Sequence, residues 1–280
     1  MDYYKELMIE QDLFAKISEQ KEEIERQQRE LQESLRYAGS IQSALLPDEK
    51  YIRKLFPESF IFFQPRDIVS GDFYWIYKKR NVAVLVAADC TGHGVPGAFM
   101  SIIGISFLNE IISNGIPKAN IILNKLRENI MKTLHQTGDL SKLKDGMDLA
   151  LVIIDFEKKE LQFSGAFNPM YLIRNGNLIE FRGDKMPIGI APTVEKSFTN
   201  KRLKIRREDI LYIFSDGYAD QFGGAEEKKF RYGPFKDLLL KIYRQPMDKQ
   251  KHLLEQKFLL WKGDLEQLDD ILIIGLKILT

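Results

Sequence analysis

Acidic residues stand at four places in the sequence where an apolar segment begins or ends. Asp72 opens "DFYWIYKK", Asp89 closes "NVAVLVAAD", Asp216 closes "LYIFSD", and the pair Asp269-Asp270 precedes "ILIIGLKI". Because a strand fixes its terminal side chains at the edge of its sheet, these acids could converge on one place. Converging carboxylates raise one another's pKa unless a cation lies between them. Oxygen ligands with few histidines or cysteines nearby favour Mg²⁺ or Mn²⁺ over zinc.

Each of these acids, taken alone, has an ordinary structural explanation. Aspartate often begins a turn or caps a helix, and "SDG" is a good turn sequence by itself. The joint occurrence of the acids with neighbouring glycines favours the metal site, because glycine permits close backbone approach and positive φ. These glycines are Gly71, Gly92, Gly94 and Gly217.

The elements that must position these acids are mostly strands. Aromatic and β-branched residues predict strands at 59–65, 72–79, 81–89, 147–157, 160–167, 169–181, 196–205, 209–217 and 270–279. The dipeptide Asn175-Gly176 predicts a tight hairpin within 169–181. Apolar spacing near 3.6 residues predicts helices at 98–112, 119–136, 234–244 and 247–261. Short connections between strands predict an α+β fold, a two-sheet and mostly antiparallel sandwich flanked by helix pairs.

Residues 1–46 differ from the rest of the chain and predict an N-terminal coiled-coil helix that ends before Pro47. Heptad positions a hold Ile17, Ile24, Leu31, Ala38 and Leu45, and positions d hold Leu13, Gln20, Gln27, Ser34 and Ile41. The length of the pattern favours a homodimer through this helix. The polar residues at positions d weaken the seam, as we call the contact between the a and d residues of the two helices. The alternative is a single helix that lies against its own domain through its Ile41 and Leu45 end.

Composition excludes several classes of protein. Forty-one basic and forty acidic residues give a net charge of +1, so no basic surface predicts a nucleic-acid partner. The sequence predicts neither a signal peptide nor a membrane span. Cys90 is the only cysteine, so we expect a cytoplasmic protein in a reducing compartment.

Six ordered motifs make the chain similar to a known family. "SGDFYWI", "VLVAADCTGHGVPGAFMS", "LYIFSDGYAD" and "LDDILIIGLKI", together with "SIQSALLP" and "FSGAFNPMYLIRNG", resemble the metal-dependent PPM serine/threonine protein phosphatases. The resemblance is closest to the bacterial branch that regulates sporulation and the general stress response, and it covers about residues 40–280. It implies a phosphatase domain over 47–280, and a centre of two Mn²⁺ or Mg²⁺ ions at one end of the sandwich.

The resemblance also implies roles for individual residues. Asp89 would bridge both ions, the backbone carbonyl of Cys90 would complete one shell, and Asp72 would bind the first ion. Asp216 and Asp269 would hold the second ion, with Asp270 as the alternative to Asp269. His93 is a candidate proton donor or a residue that fixes its turn through a backbone hydrogen bond. Arg66 is a candidate phosphate ligand or a member of a surface salt bridge.

The implied activity is hydrolysis of phosphoserine or phosphothreonine on a regulatory protein by water activated at the metals. In this branch the target would be an anti-sigma-factor antagonist of a partner-switching pathway, and the N-terminal helix would regulate the enzyme, with an upstream sensor domain as a possible partner. Two alternatives remain at this point. One is a catalytically weak regulatory or scaffold module of the same fold, and the other is a metal-dependent nuclease or nucleotide phosphohydrolase.

Overall fold

A computed structural model describes residues 2–113, 115–116, 118–136, 145–190 and 197–279. The helices are α1 (Asp2–Leu45), α2 (Glu49–Leu55), α3 (Gly94–Ser113), α4 (Ala119–Thr133), α5 (Gly217–Asp220), α6 (Tyr232–Ile242) and α7 (Met247–Lys262). The strands are β1 (Ser59–Gln64), β2 (Phe73–Lys79), β3 (Val82–Cys90), β4 (Met147–Asp155), β5 (Glu160–Ala166), β6 (Met170–Arg174), β7 (Asn177–Phe181), β8 (Lys201–Lys204), β9 (Ile210–Phe214), β10 (Phe222–Gly223), β11 (Lys228–Lys229) and β12 (Ile271–Lys277).

Ten of these strands form two five-stranded sheets. One sheet has the order β1-β12-β9-β6-β7, the other has the order β2-β3-β4-β5-β8, and β10 pairs with β11 in a small separate hairpin. All strand pairs within the two large sheets are antiparallel. The predicted α+β sandwich is therefore confirmed, including the hairpin at Asn175-Gly176.

Helix pairs cover the outer faces of both sheets. Along β3, Leu85 faces the other sheet and packs in the core that contains Ile213, whereas Val84 and Val86 face outward into the core formed with α3 and α4. The other sheet packs its outer face against α6 and α7 through an aromatic core. Both faces of the central strands are thus buried, which explains why their sequences are continuous apolar runs.

Several boundaries differ from the predicted ones. The strand predicted over 196–205 is confined to β8, which lies at the edge of its sheet and pairs only with β5. The strand predicted over 209–217 ends at Phe214, because Gly217 already begins α5. The helix predicted over 98–112 begins earlier, at Gly94, since Pro96 is tolerated in a first helical turn. The sequence analysis missed α2, α5 and the β10–β11 hairpin, all of which are short.

The C-terminal end of α1 packs on the sandwich through a face that was not predicted. Gly39 and Gln42 are buried, whereas Ile41 and Leu45 remain 46% and 43% exposed. The Ile41 and Leu45 end of the helix therefore does lie against its own domain, as the single-helix alternative expected, but through Gly39 and Gln42. The reason is geometric, because residues 39 and 42 share a helix face that residues 41 and 45 do not.

Helix α3 is long and apolar enough to cross a membrane by length and composition, although half of it is buried in the fold. Its buried face packs against the sheet; a Cβ atom on Gly104 would lie 2.9 Å from the Phe73 ring. The apolar composition of α3 thus has a direct explanation as a core helix of the sandwich.

Candidate metal centre

Four strand ends bring the predicted acids to the same edge of the sandwich. The register that pairs Phe73 with Ala88 places Asp72 beside Asp89 at the junction of β2 and β3. In the other sheet, β9 ends at Phe214 opposite Ile273, so that Asp216 lies near the start of β12 and the Asp269-Asp270 pair. The metal-edge cluster, as we call Asp72, Asp89, Asp216 and Asp269, therefore joins both sheets.

The electrostatics of this cluster indicate close carboxylates. Burial, followed by the charges of Asp72, Asp216 and Asp269, raises the pKa of Asp89 well above its ordinary value. Burial and the charge of Asp269 raise the pKa of Asp216 to about 6, while a hydrogen bond with Asp89 acts in the opposite direction. A proton shared between these two carboxylates relieves their repulsion, and a divalent cation would relieve it more completely.

Asp72 is the most deeply buried member of the cluster. Burial raises the pKa of its carboxyl well above the usual range, a hydrogen bond from the Ser215 hydroxyl lowers the pKa, and the charge of Asp270 raises it. One oxygen, Oδ2, is buried without a hydrogen-bond partner. A buried carboxylate oxygen that lacks a donor is costly unless a cation binds it.

The two adjacent acids at the start of β12 differ in their bonding. Asp270 is buried and accepts hydrogen bonds from the backbone N–H groups of Arg66 and Gly71, both at 2.7 Å. Asp269 accepts only a bond from its neighbour's N–H through Oδ1, at 2.8 Å, and burial raises the pKa of its carboxyl. Asp270 thus anchors the loop before β2, whereas Asp269 keeps an oxygen available for another ligand.

Backbone oxygens also face the cluster. A Cβ atom on Gly71 would lie 2.6 Å from the carbonyl oxygen of Gly92 and 3.2 Å from that of Cys90. A Cβ atom on Gly97 would approach the Gly92 oxygen even more closely, at 2.3 Å. Glycine at positions 71 and 97 therefore allows three segments to pack closely, namely the loop before β2, the loop after β3 and the start of α3. The Cys90 carbonyl lies beside the residue that precedes Asp72.

These donors suit a hard, hydrated cation. Across the described residues, no three histidine, cysteine, aspartate or glutamate side chains are arranged to enclose one ion. An ion here would take carboxylates of this cluster together with a backbone carbonyl and solvent. That mixture fits Mg²⁺, which retains several waters in proteins, and Mn²⁺, which prefers similar oxygen ligands. The residues present therefore fit the expected ions.

Two cationic candidates lie at the rim of the cluster. Nδ1 of His93 is 3.3 Å from Oδ2 of Asp67, so the imidazole lies against a carboxylate side chain. Nη1 of Arg66 donates to the carbonyl of Leu268 at 3.1 Å, and its Nε lies 4.0 Å from the Asp67 carboxylate. The charge of Arg66, and that of His93 when it is protonated, lower the pKa of Asp269, which places both side chains near the cluster.

Sequence analysis missed two acids of this site. Asp148, the second residue of β4, pairs in register with Asp89, and its pKa is raised to about 7 by burial and then by the charge of Asp216. Its signal was available, because "MDLALVIID" also has an acid at the start of an apolar strand. Asp67 was missed as well, and only its contact with His93 makes it notable.

Comparisons with known proteins agree with this geometry. Residues 79–279 match the family model described as stage II sporulation protein E. The SiaA-PP2C domain of Pseudomonas aeruginosa is 30% identical, with a TM-score of 0.81 over 90% of this chain and 98% of that one. The SpoIIE PP2C phosphatase domain with part of its regulatory domain, from Bacillus subtilis, is 19% identical, with a TM-score of 0.64 over 79% and 63% of the two chains.

A third similar structure is RsbX in complex with magnesium, at 11% identity and a TM-score of 0.55, covering 78% of this chain and 94% of that one. A search among curated proteins found no match. At such low identity the SpoIIE and RsbX structures support the fold, while the family model and the SiaA domain establish membership. The predicted resemblance is therefore confirmed, and the chain belongs to the stage II sporulation protein E family of PP2C-type phosphatases.

Proposed function

We propose that this protein is a Mn²⁺- or Mg²⁺-dependent phosphatase that hydrolyses phosphoserine or phosphothreonine on a regulatory protein. The observation that carries the proposal is the metal-edge cluster, in which burial and neighbouring acids raise the pKa of four carboxylates from both sheets at one edge. The unpartnered Oδ2 of Asp72 among these carboxylates supports a role for them as cation ligands.

In this proposal Asp89 would contribute to both ions, Asp72 and the Cys90 carbonyl would hold the first, and Asp216 and Asp269 would hold the second. Two divalent ions, when bound, activate water and neutralise phosphoryl oxygens. Asp270 fixes the loop that carries Asp72 through its backbone hydrogen bonds. No protein side chain has to act as a nucleophile.

The rim residues would handle the phosphoprotein. Arg66 can bind a phosphoryl oxygen with the guanidinium nitrogens that its contact with Leu268 leaves open. His93 can supply a proton to the departing serine or threonine oxygen, and Asp67 holds its imidazole through Nδ1. Nε2 of His93 would then face the substrate.

Cysteine chemistry is a poor alternative for this chain. The Cys90 side chain is buried, and burial followed by the charges of Asp89 and Asp72 raises the pKa of its thiol well above the ordinary value. A thiol in that environment is not the thiolate that a cysteine phosphatase requires.

The family supports a proposal for the substrate class. Similar structures include the RsbU and RsbW domains of Rv1364c from Mycobacterium tuberculosis and a structure described as the bacterial stressosome. We therefore infer that the substrate is a phosphorylated anti-sigma-factor antagonist or a similar small regulatory protein in the cytoplasm. An upstream sensor domain would supply the signal through α1.

The contact between α1 and the site supports regulation through this helix. The buried Gln42 amide donates to the Ser70 carbonyl at 2.6 Å and to the Ser101 hydroxyl at 2.8 Å, and it accepts from the Ser70 N–H at 3.0 Å. Ser70 lies two residues before Asp72, and Ser101 lies on α3. A movement of α1 would therefore move the loop that carries a proposed metal ligand.

A homodimer through α1 is part of the same proposal. The predicted seam residues Leu13, Ile17, Ile24, Leu31, Ile41 and Leu45 are each between 43% and 61% exposed. A row of apolar residues along one face of a long helix favours a second copy of that helix as its partner. Pairing of the two α1 helices would then determine the position of Gln42, and so its contacts with Ser70 and Ser101, in both copies.

A phosphopeptide assay with Mn²⁺, Mg²⁺ or EDTA tests the activity. We expect turnover with either ion, none in EDTA, and at least a thousandfold loss in Asp89→Asn, since its bridging carboxylate has no substitute. Asp155→Asn is the matched control, because Asp155 lies at the far end of β4 beside Lys158. Full activity of Asp89→Asn would refute the metal mechanism, and an inactive but metal-binding wild-type protein would favour the scaffold alternative. A preference for nucleotides over phosphopeptides would favour the phosphohydrolase.

A further inference from the structure

A cavity of about 470 Å³ lies at the end of the sandwich opposite the metal-edge cluster. Its wall includes Ile173 and Ile210, both buried, together with Tyr243 and three arginines, Arg206, Arg207 and Arg244. The volume lies within the range of pockets that hold small ligands, about 300–1,000 Å³.

The strands separate this cavity from the proposed catalytic site. Strand β9 begins at Ile210 in the cavity wall and ends just before Asp216, and β12 runs from the cluster to Lys277, which also lines the cavity. Seven residues of nearly extended chain between Asp209 and Asp216 span roughly 20 Å. A ligand in the cavity would therefore not contact a substrate phosphate at the metal edge.

The two carboxylates of the cavity already have cationic partners. The buried Asp209 accepts two hydrogen bonds from Arg174, at 2.6 and 2.8 Å, and a third from the backbone N–H of Arg206. Glu208 pairs with Lys277 at 2.6 Å. Each acid is thus neutralised within the cavity wall, and neither would repel an anion strongly.

Three guanidinium groups keep unused donors. For Arg206, no side-chain hydrogen bond or ion pair is present among the described residues. Arg207 has only a 4.0 Å contact with Glu208, and Arg244 uses Nε to donate to the Tyr243 hydroxyl, which leaves both of its Nη groups open. Guanidinium groups with free, planar donors are the side chains best suited to phosphate oxygens.

We propose that this cavity binds a phosphate-bearing small molecule of nucleotide size. The three arginines hold the phosphates, and the half-buried Tyr243, which lies beside the Arg244 guanidinium, borders the space for the remainder of the ligand. In a chain with a net charge of only +1, three exposed guanidinium groups at one cavity have no evident role in folding. Because β9 and β12 connect the cavity to the metal edge, the site is placed to report a metabolic signal to the enzyme.

ATP binding to the full-length protein in EDTA tests the proposal, since EDTA prevents phosphate from binding through metals at the other site. We expect saturable binding in the micromolar range at low salt. Arg206→Ala with Arg244→Ala should weaken ATP binding by about tenfold or more, because each removes charged hydrogen bonds. Arg29→Ala, which removes an exposed arginine of α1 remote from the cavity, should leave binding unchanged.

Two further ligands test which parts of ATP the cavity recognises. Adenosine should bind far more weakly than ATP because it lacks phosphates, and inorganic phosphate should compete poorly because it does not fill the cavity. Absence of saturable binding at millimolar ATP would overturn the proposal, as would equal affinity in the double variant. Inorganic phosphate that competed as well as ATP would overturn the nucleotide-sized ligand. Circular dichroism of the variants confirms that any loss of binding is not unfolding.

Discussion

Replacing Asp216 with asparagine is expected to stabilise the metal-free protein at pH 8, although it removes a proposed metal ligand. Asp216 precedes α5 without making a side-chain capping bond, so asparagine loses no cap there. The amide has nearly the shape of the carboxylate and carries no charge. It can donate to Asp89, whose carboxylate now shares a hydrogen bond with Asp216.

The magnitude follows from the pKa of Asp216. Burial and the charge of Asp269 raise this pKa from 3.8 to about 6, and each unit is about 1.4 kcal/mol, so ionising the group in the folded chain costs on the order of 3 kcal/mol. Because the folded pKa lies above the unfolded one, this contribution to stability is complete below pH 4 and is lost as pH rises through 6. The wild-type protein in EDTA should therefore weaken between pH 4 and 7 by this amount, and Asp216→Asn should not.

Urea unfolding in EDTA at pH 5 and pH 8, followed by tryptophan fluorescence, measures the difference. Asp216→Asn should exceed the wild type by about 3 kcal/mol at pH 8 and by about half of that at pH 5. Added Mn²⁺ should stabilise the wild type strongly and the variant weakly. The control is Asp155→Asn, because a backbone hydrogen bond from Lys158 lowers the pKa of Asp155; that variant should gain nothing and keep the full metal response.

The opposite result would refute the electrostatic reasoning. If Asp216→Asn were less stable than the wild type at pH 8 in EDTA, the carboxylate would be making a favourable contact in the metal-free fold. If the variant also retained the stabilisation by Mn²⁺, Asp216 would not be a ligand.

Three further predictions concern the surroundings of the cluster. Gly71→Ala should destabilise the fold by about 1–3 kcal/mol and weaken Mn²⁺ activation, because its Cβ would meet two carbonyl oxygens. Gly233→Ala, which has open space around it, should be neutral in the same urea and activity assays. Gln42→Ala should raise the Mn²⁺ concentration for half-maximal activity about tenfold by releasing the loop before β2, and an unchanged midpoint would contradict that coupling. Leu31→Glu should convert a dimer to a monomer in sedimentation experiments while Arg29→Glu, on the outer helix face, should not; a wild-type monomer would contradict the seam.

The sequence predicted the sandwich well because its strands carry strong local signals. Continuous apolar runs such as that of β3, and the hairpin at Asn175-Gly176, specify strands without reference to distant residues. Short elements were not predicted because they carry no such local signal. Helix α5 has four residues and β10 has two, so neither contains enough residues for a period to appear.

The candidate site was predictable in part. Acids at strand ends were found because strand ends share an edge of the sheet, and Asp148 was overlooked although it follows the same rule. The distinction between Asp269 and Asp270 could not be made from residue spacing, since it depends on hydrogen bonds to a loop about 200 residues earlier in the chain. Gln42 was likewise unpredictable, because its partners Ser70 and Ser101 are distant in sequence.

Crystals of the protein soaked in Mn²⁺, with diffraction data collected at the manganese absorption edge, test the central claim most directly. We expect anomalous density between Asp72, Asp89 and Asp216, with the Cys90 carbonyl in contact with one ion and Asp269, rather than Asp270, beside the other. Manganese bound elsewhere, with the four carboxylates left in contact only with protein and solvent, would contradict the metal centre on which the proposed phosphatase activity depends.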